Sequence, residues 1–182
     1  MFKLIEPYDS KLVKYIHLHR YKGADEFLMW ITEHATPIVI SMILLLFIIY
    51  FIKKEKKILY VASNYSIILI IAALITASLK LLVKRERPYD VYHELTGMVS
   101  GGGYCFPSGH TTEVFALATA TFLMIKNKYI RIIALIWAIL IAYTRMAMGV
   151  HYPGDVLGGI IIGSSVAYLW LRKNPFKFIL KK

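Results

Sequence analysis

Cysteine is nearly missing from this chain of 182 residues, and negative charge is scarce. Cys105 stands alone, so no disulfide forms within the chain and the thiol carries no reading of redox compartment; a small buried apolar role is expected for it. Eleven Asp and Glu face 22 Lys and Arg, a formal net charge of +11. Internal repeats, coiled-coil heptads and low-complexity linkers are absent. Residues 1–26 are interrupted by Lys3, Glu6, Asp9, Lys11, Lys14, Arg20, Lys22, Asp25 and Glu26. They hold no continuous apolar core, so a cleavable signal peptide is not expected and membrane insertion falls to internal segments.

The basic excess raises the question of nucleic acid. Its placement answers against it: the Lys and Arg clusters flank apolar runs instead of forming one stripe interleaved with aromatics. Apolar residues make up 58% of the chain, and the mean hydropathy is positive. Stretches long enough to cross a bilayer account for both. Five spans are expected, at 28–52, 58–80, 110–125, 129–147 and 156–171. Three of these are short: 110–125 and 156–171, each rising roughly 24 Å against about 30 Å of hydrocarbon, and the fourth, with only about a dozen apolar residues before Thr144-Arg145. Ile5, Tyr8, Leu12 and Ile16 recur at helical spacing between charges, which predicts an amphipathic helix lying in the interface over 1–26. Residues 88–107, with Pro88, Gly97, Gly101, Gly102, Gly103 and Pro107, read as a long loop, and long loops often carry function. The predicted fold class is an all-α integral membrane bundle: one domain over 1–182, with its catalytic core at 28–172.

Five spans place the chain ends on opposite faces. Segments 53–57, 126–131 and 172–182 carry 12 Lys and Arg, and the other face carries 10, of which Lys80, Arg87 and Arg145 belong to motifs described next. The positive-inside rule then puts the first group in the cytoplasm and the motifs on the outer face.

Three stretches end or begin apolar runs: Lys80 to Pro88, Pro107-Ser108-Gly109-His110, and Arg145 to Asp155. Together they supply three cations, two histidines and one carboxylate. Lys80, Arg87 and Arg145 suit the equatorial oxygens of a phosphoryl group in transfer. Arg offers a planar fork and Lys a point charge. Ser108-Gly109-His110 opens a helix whose free N–H groups favour phosphate, with Ser108 adding a hydroxyl and Gly109 allowing close approach. His151 is a competent nucleophile when neutral, with Asp155 placed to accept the proton of its other nitrogen. Pro153-Gly154 between them demands a turn, and Asp155 is expected to cap the last span.

The spacing Lys-x6-Arg-Pro, Pro-Ser-Gly-His, Arg-x5-His-x3-Asp resembles the three-part signature of the type 2 phosphatidic acid phosphatase (PAP2) superfamily. One letter departs: Thr144 stands where the family usually has Ser, and a hydroxyl is retained. The resemblance implies a membrane phosphatase acting on a lipid phosphate or diphosphate, with lipid A 1-phosphate, undecaprenyl diphosphate and phosphatidylglycerophosphate as candidate substrates. It implies His151 as nucleophile, His110 as the acid for the leaving oxygen, and a phosphohistidine intermediate. No cofactor or metal is expected, because a single carboxylate is a poor magnesium site. The bilayer and the lipid phosphate are the expected partners, at the outer face of a bacterial cytoplasmic membrane. The same triplet occurs in soluble vanadium haloperoxidases, which the spans disfavour. A lipid-to-lipid phosphotransferase and a non-catalytic lipid-handling protein are the alternatives. Lys84 and Arg85 match no family position and are expected at headgroups. His17, His19, His34 and His93 lack partner spacing and are expected at the interface or in solvent.

Overall fold

A computed structural model of the chain describes residues 4–96, 98–99, 102–173 and 176–180. Residues 1–3 of the predicted interfacial helix, and Gly97 and Gly101 of the predicted loop, lie outside them. Among the described residues every regular element is helical. The chain runs α1 (Glu6–His19), a single 3₁₀ turn, α2 (Asp25–Glu33), α3 (Ala35–Lys53), α4 (Lys56–Val83), α5 (Pro88–Val91), α6 (Gly109–Met124), α7 (Lys128–Ala147) and α8 (Pro153–Lys173), with a closing 3₁₀ turn at Lys177–Leu180.

Four segments are long and apolar enough to cross a membrane: Ala35–Lys53, Lys56–Val91, Lys128–Ala147 and Pro153–Lys173. Their outward residues are apolar, among them Leu44, Leu45, Ile70, Leu74, Ile133, Ile136, Ile161 and Leu169. Lipid contact explains that surface. Helix α6, with 16 residues, is shorter. It is the centre of the bundle, packing most extensively on α8 and then on α7 and α4.

Three predicted bounds change. The expected span at 28–52 is broken at His34, which closes α2 and opens α3. The last span is longer than expected, at 21 residues, because Pro153 supplies the first helical position two residues before Asp155. The loop after Arg87 is interrupted by the short helix α5, with Pro88 at its start.

Small residues decide how closely α6 and α8 approach. A Cβ added at Gly163 would sit 2.2 Å from the Thr112 carbonyl oxygen, and one at Gly159 would sit 2.9 Å from the Ser108 carbonyl oxygen. The Gly159-x3-Gly163 stripe is therefore spent inside the bundle, bringing two backbones together. Beyond it, Thr119 Oγ1 donates to Ser164 Oγ at 3.1 Å, and Tyr65 meets Thr121 at 2.7 Å. Deeper in the bundle, Ile68, Ala72, Ala116, Ala120 and Ala167 form the largest apolar core.

Helix α1 has two faces. Asp9, Val13 and His17 are buried, whereas Tyr8, Leu12, Tyr15 and Leu18 are exposed. The amphipathic helix expected over 1–26 is thus Glu6–His19, and α2 adds a second short helix against α7. His17 departs from expectation: it is buried, and its neutral imidazole donates from Nδ1 to the Ala147 carbonyl at 2.9 Å. Burial pushes its pKa down.

Replacing Gly163 by Ala should lower stability by about 1–3 kcal/mol through overpacking against the α6 backbone. Thermal melting of the detergent-purified protein reads this directly, and an unchanged melting temperature would mean that α6 and α8 are less tightly apposed than described.

Candidate active site

Each of the three motifs is placed by a helix end. Lys80 lies in the last turn of α4, whose C-terminus is closed by Lys84 in the left-handed region, φ 51°. Extended backbone then carries Arg85 and Arg87 back under the bundle. Ser108 is the residue before α6, and Thr111 Oγ1 donates to its hydroxyl at 2.9 Å. Arg145 closes α7. A turn at Gly149 (φ 70°) then returns the chain, so that the Val150 and His151 amides both donate to the Arg145 carbonyl, at 3.2 and 3.1 Å. Only glycine takes that conformation cheaply, and a Cβ there would also sit 3.2 Å from His17 Nδ1.

Hydrogen bonds tie the three stretches into one site. The Ser108 amide donates to the Asp155 carbonyl at 3.1 Å, and the Cys105 amide donates to the Arg85 carbonyl at 2.9 Å. Arg87 reaches the Gly102, Gly103 and Val150 carbonyls, each within 2.9 Å. Lys80 Nζ donates to the Tyr104 carbonyl, which Arg87 also approaches. Arg145 Nη1 donates to Thr32 Oγ1 of α2 at 2.7 Å, and its Nε has no hydrogen-bond partner among the described residues. The charges of Arg145, Lys80 and Arg87 all act on His110. Lys80, Gly109 and His110 are part-exposed, whereas Arg87, Ser108, Arg145, His151 and Asp155 are buried.

His151 sits between two partners. Arg87 Nη1 lies 3.4 Å from its Nε2, and Asp155 Oδ2 lies 3.6 Å from its Nδ1. A guanidinium only donates, so Nε2 is the acceptor and the ring proton sits on Nδ1, facing the carboxylate. The second distance is longer than a hydrogen bond, and Nδ1 has no hydrogen-bond partner among the described residues. Burial pushes the His151 pKa down to about 3, assisted by Arg145 and Arg87 and opposed by Asp155. The imidazole is therefore neutral at ordinary pH, with Nε2 unprotonated.

Asp155 occupies the third position of α8. Its Oδ2 accepts the Tyr152 amide at 2.9 Å, the reciprocal half of a capping box. Its Oδ1 accepts from Arg85 Nη1 at 2.8 Å. Arg85 thus overturns its expectation as a headgroup contact. It is buried, it also pairs with Asp9 Oδ2 at 2.7 Å and Glu6 Oε2 at 3.3 Å, and its guanidinium lies 3.9 Å over the Tyr152 ring. Lys84 remains exposed. Asp9 and Arg85 are the site residues that motif spacing missed. Asp9 shares the buried face of α1 with Val13 and His17, a face other than the one that Ile5, Tyr8, Leu12 and Ile16 mark as apolar, so spacing carried no signal for it. Cys105 is buried as expected, with Sγ 2.9 Å from the Glu86 carbonyl, and burial raises its pKa well above the ordinary thiol range. Glu113, three residues beyond His110, accepts from Thr36 Oγ1 of α3 at 2.6 Å.

An all-helical membrane bundle whose basic, helix-capped site gathers two histidines and a carboxylate defines the class. Residues 61–178 match the PAP2 superfamily, and the chain belongs to it. It is 35% identical over 98 residues to lipid A 4'-phosphatase of Bacteroides thetaiotaomicron, a match covering 50% of this chain and 44% of that protein. The chain thus spans under half the length of that curated relative. It is 28% identical over 165 residues to the undecaprenyl-diphosphatase BcrC of Bacillus subtilis, covering 89% of this chain and 82% of that one. In fold it matches the transmembrane PAP2-type phosphatidylglycerolphosphate phosphatase of Bacillus subtilis, with a TM-score of 0.80 at 22% identity over 97% of this chain and 90% of that one. The protein is a multi-pass membrane protein of the bacterial type.

Nitrogen NMR of histidine-labelled protein should find His151, assigned by its loss in His151→Ala, neutral from pH 8 down to about pH 4. The unfolded chain takes up that proton near 6.5, so between 6.5 and 3 folding stability falls as pH falls. Titration of His151 near 6.5 in the folded protein would contradict the buried, cation-flanked environment.

Proposed function

We propose that the protein is a membrane phosphatase that hydrolyses a lipid phosphate or diphosphate through a phosphohistidine. The observation that carries this is the placement of His151, with Nδ1–H facing Asp155 and an unprotonated Nε2 against the Arg87 guanidinium. In the first step His151 Nε2 attacks phosphorus, the bond to the leaving oxygen breaks, and His110, protonated once the bound phosphate offsets the cations around it, gives that oxygen its proton. Asp155 stabilises the positive charge that appears on the imidazole. In the second step water attacks the phosphohistidine, the P–N bond breaks, inorganic phosphate leaves, and His110 takes the water proton. Lys80, Arg87 and Arg145 hold the equatorial oxygens, aided by Ser108 and the amides that open α6.

The space around Gly109 supports a bound anion there. A Cβ at Gly109 would meet only Thr76 Cγ2, at an ordinary 3.8 Å, so packing within the protein does not require glycine at that position. The three cations supply the charge neutralisation that a divalent metal gives elsewhere, and the reading is metal-independent. The described chain acts as one catalytic unit, with α2 supplying Thr32 to Arg145.

The likeness to BcrC over most of both chains supports undecaprenyl diphosphate as substrate, and the local likeness to lipid A 4'-phosphatase supports a lipid A phosphate. Phosphatidylglycerophosphate is the third candidate. Arg85 does not favour multiply charged headgroups, because Asp155 and Asp9 already pair with it.

The deciding experiment is phosphate release by the detergent-purified protein, with chelator present, from undecaprenyl diphosphate, lipid A, phosphatidylglycerophosphate and phosphatidic acid. Wild type should turn over one or more of these, and His151→Ala should retain no more than a few per cent of that activity. Activity that needs an added metal, or that survives the substitution, would overturn the mechanism. Silence across the panel with folded protein would overturn the hydrolase reading.

The basic flanking segments support an outer-face site in a bacterial cytoplasmic membrane, with Lys53–Lys57 inside. A reporter fused after Lys182 should then be active only if it works in the cytoplasm. A reporter active only outside would move the site to the cytoplasmic face.

A further inference from the structure

Two charged side chains beside the site take no part in these steps, and one of them comes from α1. Arg85 divides its guanidinium between Asp155 Oδ1 (2.8 Å) and Asp9 Oδ2 (2.7 Å). The other oxygen of Asp9, Oδ1, accepts the Gly154 amide at 2.9 Å. A Cβ at Gly154 would sit 2.6 Å from Asp9 Oδ2, so a larger residue there would push the carboxylate from its present place. Asp9 is 7% exposed and Asp155 is 0% exposed.

The same face of α1 holds the other end of the loop. His17 Nδ1 binds the Ala147 carbonyl at 2.9 Å, where α7 stops. Between these two points Val13 packs with Leu95, Cys105 and Tyr152. One helical face, Asp9 to Val13 to His17, therefore grips the His151 loop at Gly154, at Tyr152 and at Ala147.

We propose that Asp9 and Arg85 are positioning residues that set the placement and charge of Asp155 against His151, which makes α1 part of the working active site. Neither residue touches the reacting atoms. While Asp9 shares Arg85, the guanidinium charge is divided and Asp155 keeps negative charge for the imidazole. Without the Asp9 carboxylate only the part-exposed Glu6, at 3.3 Å, still shares Arg85, so more of the guanidinium charge falls on Asp155, and the carboxylate stabilises the charged His151 less. The proposal rests on the phosphohistidine reading for its effect on turnover, and on geometry alone for its effect on the imidazole.

Asp9→Asn tests the charge with little change in shape, because the amide oxygen still accepts from Gly154. It should lower kcat per folded molecule by about tenfold or more while KM stays within about twofold, since orientation at the reacting centre is lost and lipid binding is not. Asp9→Glu should restore part of the loss, and Arg85→Lys should retain more activity than Arg85→Gln. Lys11→Gln, exposed on the same helix, sets the baseline. Wild-type activity in Asp9→Asn, or a fall in activity that follows loss of folded protein in melting curves, would overturn the proposal. A wild type silent on every lipid would instead count against the phosphatase reading. Histidine nitrogen NMR then decides the proposal without turnover. The His151 signal should shift in Asp9→Asn and stay in place in Lys11→Gln, and an unmoved signal in Asp9→Asn would overturn it.

Discussion

The buried carboxylate of Asp155 is the interaction on which the rest of the site depends. Its two oxygens bind the Arg85 guanidinium and the Tyr152 amide, and its backbone carbonyl binds the Ser108 amide. These bonds join the end of α4, the start of α6 and the start of α8 at one residue. An uncompensated carboxylate at that depth would cost several kcal/mol, so burial is tolerable only with all partners present. Breaking one partner away would leave a charge stranded in the interior.

Around that anchor the charges are unequal by design of the fold. Arg85 is matched by Asp155, Asp9 and Glu6. Lys80 and Arg87 are held mainly by carbonyl oxygens, and Arg145 by a hydroxyl. Carbonyl and hydroxyl dipoles fix a cation in place without cancelling its charge. The positive charge of Lys80, Arg87 and Arg145 is therefore concentrated beside His110 and His151, where it disfavours protonation of His151 and attracts an anion. Helix α6 adds its N-terminal amides to the same point.

Much of the site was legible from spacing, because its residues sit at helix ends and helix ends are punctuated in sequence. Apolar runs that stop at Lys80, start after His110 and stop at Arg145 declare where the chain turns. Pro88, Pro107 and Pro153 mark the same boundaries. The long spans were equally legible, since a bilayer demands apolar length and the sequence supplies it. The bounds that shifted, the break at His34 and the extra turn of α8 from Pro153, are places where a local cap competes with a continuous apolar run.

What the sequence by itself determined is the class of fold, the three motifs and the anion chemistry they afford, because each depends on local period, composition or capping. What only the tertiary structure decided is which groups each charge meets. Arg85 and Arg87 stand two residues apart in one motif, yet Arg85 turns to Asp155 and Asp9 and Arg87 turns to carbonyls and His151. Asp9 lies 146 positions before Asp155, and no local pattern links them. Pairing across that distance is settled by the packing of α1 on the α7 and α8 ends, which no run of neighbouring residues encodes.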